Sequence, residues 1–164
     1  MKGRLTTTLK IIIFILLPLS AKAGGNTTST TMNVSASVAP SCTVRADPLQ
    51  FGSYTLAQKG ASATIYVTCT KDTNYDIGLD AGSTSGATVD VRKMKSGSNT
   101  LNYSIYQNSG YTTVWGETVG SNTVHDTGSG TEQQIPVYGM IPANQQAPIG
   151  SYTDTVNVKV TFGS

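Results

Sequence analysis

Charged side chains are scarce in this 164-residue chain, at 12% of residues, and cysteine, histidine and tryptophan are scarcer, at two, one and one. Each shortage excludes a class of chemistry. Two cysteines, Cys42 and Cys69, have neither the number nor the spacing for a thiolate zinc site or a CxxC redox pair. The single histidine, His125, sits in the polar, glycine-rich stretch 119–130. With Ser121, Asp126 or Ser129 it would have to make up an entire hydrolytic site, and no strand-to-helix elbow carries it. Asp72-Thr73-Asn74-Tyr75-Asp76 lacks the glycine and terminal glutamate of an EF-hand, so it reads, with Asp47, Asp80 and Asp90, as turn and solvent-face residues. There is no glycine-rich phosphate loop and no apolar repeat of 3.6 residues long enough for a helix. The expectation is a non-enzymatic protein with no cofactor and no metal.

What is present begins with a leader. Lys2, Arg4 and Lys10 precede the apolar run IIIFILL at 11–17, and Ala21-Lys22-Ala23 supplies small residues where a signal peptidase cuts. Residues 1–23 read as a secretory signal peptide, cleaved after Ala23. The apolar run is too short for a membrane span of about 20 residues. The leader holds four of the eleven basic residues and none of the nine acidic ones, which leaves seven against nine and a net charge of −2 for residues 24–164. A nucleic-acid partner has no electrostatic support. The 141 exported residues suit one domain. An even pair of cysteines in an exported chain reads as one disulfide, stabilising by roughly 3 kcal/mol.

The exported part is a series of short alternating segments separated by turn residues, about seven strands. Those read most clearly are 63–70, with Ile65, Val67 and Cys69 on one face, 75–79, 89–94 and 101–106. Two more follow: 135–141, where Pro136 suggests an edge, and 154–162, with Val156, Val158, Val160 and Phe162 together. A short strand over 111–115 is possible on the same pattern, whereas 119–130 reads as a loop. Tyr75 and Tyr103 fall on inward faces. Tyr111 and Trp115, near a glycine-bearing loop, are candidates for packing or for contact with a surface or another subunit. The pattern predicts an all-β, immunoglobulin-like sandwich.

The two ends do not balance. Residues 30–42, TTMNVSASVAPSC, place Met32, Val34, Ala36 and Val38 on one face and polar residues on the other, then stop at a proline and a cysteine. At the other end the strongly amphipathic strand 154–162 comes last, with no further strand to cover its edge. Either 31–38 folds back onto its own domain, or the segment of one molecule fills the groove of the next.

Several separated motifs match one family. They are the alternating segment running into Ser41-Cys42-Thr43-Val44, Leu49-Gln50-Phe51-Gly52, Ile65-Tyr66-Val67-Thr68-Cys69, YDIGLDAG at 75–82, Arg92-Lys93-Met94, the stretch 101–106, Val137-Tyr138-Gly139-Met140-Ile141-Pro142, and Gly150-Ser151-Tyr152-Thr153-Asp154-Thr155. The chain resembles the spore coat protein U family, which includes pilins of the archaic chaperone–usher pathway of the Csu type. The resemblance implies an incomplete immunoglobulin-like sandwich lacking its last strand, with residues 24–40 as a donor-strand extension and 41–164 as the sandwich domain. It implies Met32, Val34, Ala36 and Val38 as donor residues, Val156, Val158, Val160 and Phe162 as a wall of the acceptor groove, and Cys42–Cys69 as the family disulfide. Ala36 departs from the larger residues usual in such strands. The implied partners are identical or related subunits in a head-to-tail polymer, a periplasmic chaperone and an outer-membrane usher, and the implied location is the periplasm and then the cell surface. A coat protein of the same family and a monomeric sugar-binding sandwich are the alternatives.

Overall fold

The structure, a computed structural model, describes residues 24–163. The leader expected over 1–23 lies outside the described residues. Two compact units divide the chain after Ala36. Within the first, residues 24–36 form no helix or strand, and Met32 and Val34 are each 87% exposed.

Residues 37–163 form an all-β, incomplete immunoglobulin-like sandwich. The strands are β1 (Cys42–Ala46), β2 (Lys59–Cys69), β3 (Asn74–Leu79), β4 (Arg92–Ser96), β5 (Asn99–Tyr106), β6 (Val124–Thr127), β7 (Gln133–Ile141) and β8 (Val158–Phe162). One sheet runs β1-β2-β7-β5-β4 and the other β6-β3-β8, with every pairing antiparallel. Side chains alternate between faces along a strand, so each sheet turns one set of apolar residues inward. Ile65, Val67 and Cys69 of β2, Leu101, Tyr103 and Ile105 of β5, and Val137 and Ile141 of β7 meet Tyr75, Ile77 and Leu79 of β3 in a single core. A Cys42–Cys69 disulfide joins β1 to β2 at directly opposed positions.

Several features differ from the sequence pattern, while the edge expected at Pro136 is present locally. The stretch 119–130, expected as a loop, contains β6, a short polar edge strand. Its ladder is reinforced by side chains, with Thr123 Oγ1 donating to Asp76 (2.8 Å) and Thr127 Oγ1 to Asn74 (2.9 Å). The expected strand at 111–115 reduces to one bridge between Val114 and Tyr106. The last strand starts at Val158 rather than at 154. Pro136 lies in a strand flanked on both sides, but pairing with β5 covers only Tyr138, Gly139 and Met140, so at Pro136 β7 has a neighbour on the β2 side alone.

Beneath one end of the core is a buried cation. Arg92 is fully buried, and its guanidinium donates to four backbone carbonyls: Asp80 and Val89 through Nε and Nη1 (both 2.8 Å), Leu79 (2.9 Å) and Trp115 (2.8 Å) through Nη2. Burial pushes its pKa down, and Tyr103, Asp80, Asp154 and Asp90 oppose that shift. Trp115 is fully buried beside it, its Nε1 donating to the Ile77 carbonyl (2.8 Å). The planar fork of arginine serves all four acceptors at once, which a single ammonium cannot do. Arg92→Lys is therefore expected to lower unfolding stability by about 2–4 kcal/mol, since buried carbonyls lose their donors. Urea unfolding checks this, and a loss below about 0.5 kcal/mol, the scale of an ordinary surface change, would refute it.

Candidate functional site

The two sheets are not closed along one side. β8 is outermost in its sheet, with β3 on one edge and, among the described residues, no strand on the other, and β1 is outermost in the other sheet. These edges approach each other at one end, where Pro40 lies close to Gly163. Beyond Ala46 they part, and the sandwich holds a cleft of about 1270 Å³. Its floor includes Ile65, Val137, Leu101 and Ile105 from the larger sheet. Val156 and Val158 line one wall, and Leu49 and Phe51 of the segment after β1 line the other. Ile149, fully exposed, stands at the rim.

The wall before β8 is set by polar contacts rather than by a ladder. Asp154 accepts from the Ser83 backbone N–H and hydroxyl (both 2.9 Å) and from the Tyr103 hydroxyl (2.8 Å). Asp80 accepts from the Asn157 backbone N–H (3.0 Å), the Asn157 side chain (2.5 Å) and the Gly82 N–H (2.9 Å). Thr153 exchanges two backbone bonds with Lys95 at the edge of β4 (2.9 and 3.1 Å). Burial and then the Asp154 hydrogen bond hold the Tyr103 phenol far above its ordinary pKa. For Asp80 burial favours the neutral form, but the bonds from Asn157 and Gly82 and the charge of Arg92 outweigh it and draw its pKa down. What results is an apolar trough with an unpaired strand edge along one side. Such a site offers main-chain hydrogen bonds and side-chain pockets to an extended chain.

Of the residues expected in the groove, Val156 and Val158 line the cleft. Val160 is half-buried against the core, and Phe162 is 40% exposed at the strand end, where the two edges have already come together. Of the expected donor residues, Met32, Val34, Ala36 and Val38 are all exposed and outside any strand. Leu49 and Phe51, quoted for their resemblance alone, turn out to form a wall; their spacing of two was the available signal. His125 lies on β6 with its Nδ1 3.2 Å from Asp76, while Asp126 binds Tyr75 and Gln133, and Ser129 binds Thr131 and Gln133. The hydrolytic grouping is thus not brought together. Trp115 belongs to the core, and Tyr111 packs edge-on against Tyr106 at 5.5 Å.

Three comparisons bear on this geometry. A family model described as the Spore Coat Protein U domain matches residues 28–159. "Protein U" of Myxococcus xanthus is 34% identical over 87 residues, which are 52% of this chain and 48% of that protein. The chain therefore spans about half the length of this curated relative. Among solved structures, a chaperone–tip adhesion subunit pre-assembly complex (CsuC–CsuE) from the archaic chaperone–usher Csu pili of Acinetobacter baumannii matches with a TM-score of 0.55 and 27% identity. That match covers 75% of this chain and 40% of the solved one.

The depressed pKa of Asp80 has a definite sign. Its contribution is present above the ordinary carboxylate pKa of about 3.9 and is lost as pH falls through the folded-state value. Asp80→Asn should be less stable than wild type at pH 7, and the gap should close as pH drops below about 4. Thermal unfolding across that range measures it; a gap independent of pH would mean that the carboxylate charge plays no part.

Proposed function

The chain belongs to the Spore Coat Protein U family, and from that premise we propose that it is a non-enzymatic structural subunit of an archaic chaperone–usher pilus. It polymerises by donating residues 24–40 to the cleft of the neighbouring subunit. The single observation that carries the reading is the pair of complementary deficits: an open apolar cleft beside the free edge of β8, and an alternating segment whose Met32, Val34 and Val38 are more than four-fifths exposed. Burying Met32, Val34 and Val38 contributes about 1.5–3 kcal/mol each, with less from Ala36, for roughly 5–8 kcal/mol gross. Backbone bonds to β8 add about 0.5–1.5 kcal/mol apiece.

Donor and acceptor occupy different places on one subunit, so the contact is head-to-tail and propagates an open fibre. Ala39 and Pro40 are the link between neighbours. Before assembly the cleft exposes apolar surface and a bare edge, a combination that aggregates unless covered. A periplasmic chaperone supplies that cover and an outer-membrane usher exchanges it for the next subunit. Export by the 1–23 leader and display at the cell surface follow, with the fibre supporting attachment and biofilm formation. A coat protein assembling on a cell or spore surface is the second reading, favoured by the match to the Spore Coat Protein U domain.

The test is assembly of the full chain, co-expressed with a chaperone and usher of the archaic class, followed by electron microscopy and sedimentation. Wild type should form fibres, and Val34→Asp should reduce polymer by about tenfold or more, since a buried charge replaces an apolar contact. Deleting 24–38 should leave a folded, chaperone-bound monomer. A deletion variant that assembles normally would overturn the reading. Assembly on a surface without chaperone or usher would favour the coat.

A further inference from the structure

We infer that Leu49 and Phe51 form a resident plug that raises the cleft floor at one point and so fixes the register of the incoming segment, with Ala36 as the residue that faces it. The inference rests on the proposed strand exchange and names its specificity determinant. Three inward positions of the larger sheet are small: Ala61 and Ala63 of β2 and Gly139 of β7, with Ala61 directly opposite Gly139. The space above Gly139 is already taken. A Cβ placed on it would lie 2.7 Å from Leu49 Cδ2 and 2.7 Å from Phe51 Cζ, closer than carbon atoms pack. Phe51 is 9% exposed, and its ring stands edge-on against Tyr103 of β5 at 5.9 Å. Its side chain thus reaches across the middle of the floor from the wall, yet it still lines the cleft.

An extended segment lying along this trough presents inward side chains every second residue, about 6.6 Å apart. Where the floor is Ile65 or Val137 a large side chain finds depth. Over the plug the depth is already filled, and interiors pack too tightly to accept a second large group. The segment therefore needs one small inward residue flanked by larger ones. Residues 32–38 supply that pattern once, with Met32, Val34 and Val38 large and Ala36 small. A slip of two residues would place Val34 or Val38 on the plug. The small residue thus specifies which slot each neighbour takes.

The experiment uses the full chain in the assembly assay above. Ala36→Leu should cut polymer by about tenfold, the effect of forcing extra methylenes into a filled site. Val34→Leu, a similar enlargement at a deep position, should assemble to within about threefold of wild type, as volume changes with room to repack do. Phe51→Ala, or Leu49→Ala should Phe51→Ala not fold, removes part of the plug. Combined with Ala36→Leu it should restore assembly. Normal assembly of Ala36→Leu would overturn the inference, as would failure of both folded double variants to recover. If wild type itself forms no fibre, the strand-exchange reading falls instead, and this inference with it.

Discussion

An apolar cleft bordered by a free strand edge is an unstable thing for a sandwich to keep open, and that constraint organises the rest of the molecule. The hydrophobic effect favours bringing the two sheets together over the gap. In this chain the walls are held apart by groups that do not depend on a strand being present. At one end the Cys42–Cys69 disulfide ties β1 to β2, and β1 and β8 come together near Pro40 and Gly163. At the other, Arg92 collects the carbonyls of Leu79, Asp80, Val89 and Trp115, while Asp80 and Asp154 fasten the segment leading into β8. Polar contacts have directional geometry that apolar packing lacks, so they fix the width of the trough as well as its existence.

That network also explains the composition. In a chain so poor in charge, three of its charged residues are spent on one location. Arg92 is buried without a carboxylate in contact among the described residues, and Asp80 and Asp154 lie near enough to offset its desolvation. Four carbonyls make the direct bonds. Replacing one member would leave the others incompletely satisfied in a low-dielectric setting, which is why such clusters act as units.

Much of the scaffold was legible in the sequence because one physical signal dominates it. β2, β3, β5 and β7 alternate apolar and polar residues against a buried face, and Ile65, Tyr75, Leu101 and Val137 lie inward as that period requires. β6 was not legible, because its sequence VHDT carries only one apolar residue and its ladder is supported by Thr123, Asp76, Thr127 and Asn74. Residues 154–157 read as strand because Val156 continues the period of Val158 and Val160. Yet Asp154 and Asn157 satisfy their neighbours through side chains, and the ladder starts only at Val158. Arg92 in the run RKMKS looks like a solvated cation, and nothing local announces the three distant carbonyls of Leu79, Asp80 and Trp115. The plug was hidden for a similar reason: the contact of Leu49 and Phe51 with Gly139 joins positions far apart in the chain.

The free edges differ in length, charge and surroundings. A sandwich of two open sheets has four, those of β1, β4, β6 and β8. β4 carries Lys93 and Lys95 outward and is bridged by Thr153. β6 is four residues long and polar, with His125 held by Asp76. β1 is five residues long and places Arg45 on the outer face, stacked on Tyr66 and paired with Glu132. Short, charged and polar edges are the ordinary means by which sheets refuse new partners. β8 and the segment leading into it run beside the apolar trough, with Val156 and Val158 facing inward and the one charged residue of the strand, Lys159, turned to the outer face. An extended segment that approaches at random therefore meets three guarded edges and one receptive one. In the proposed strand exchange, the selectivity of that one edge is what would favour an ordered chain of subunits over an aggregate.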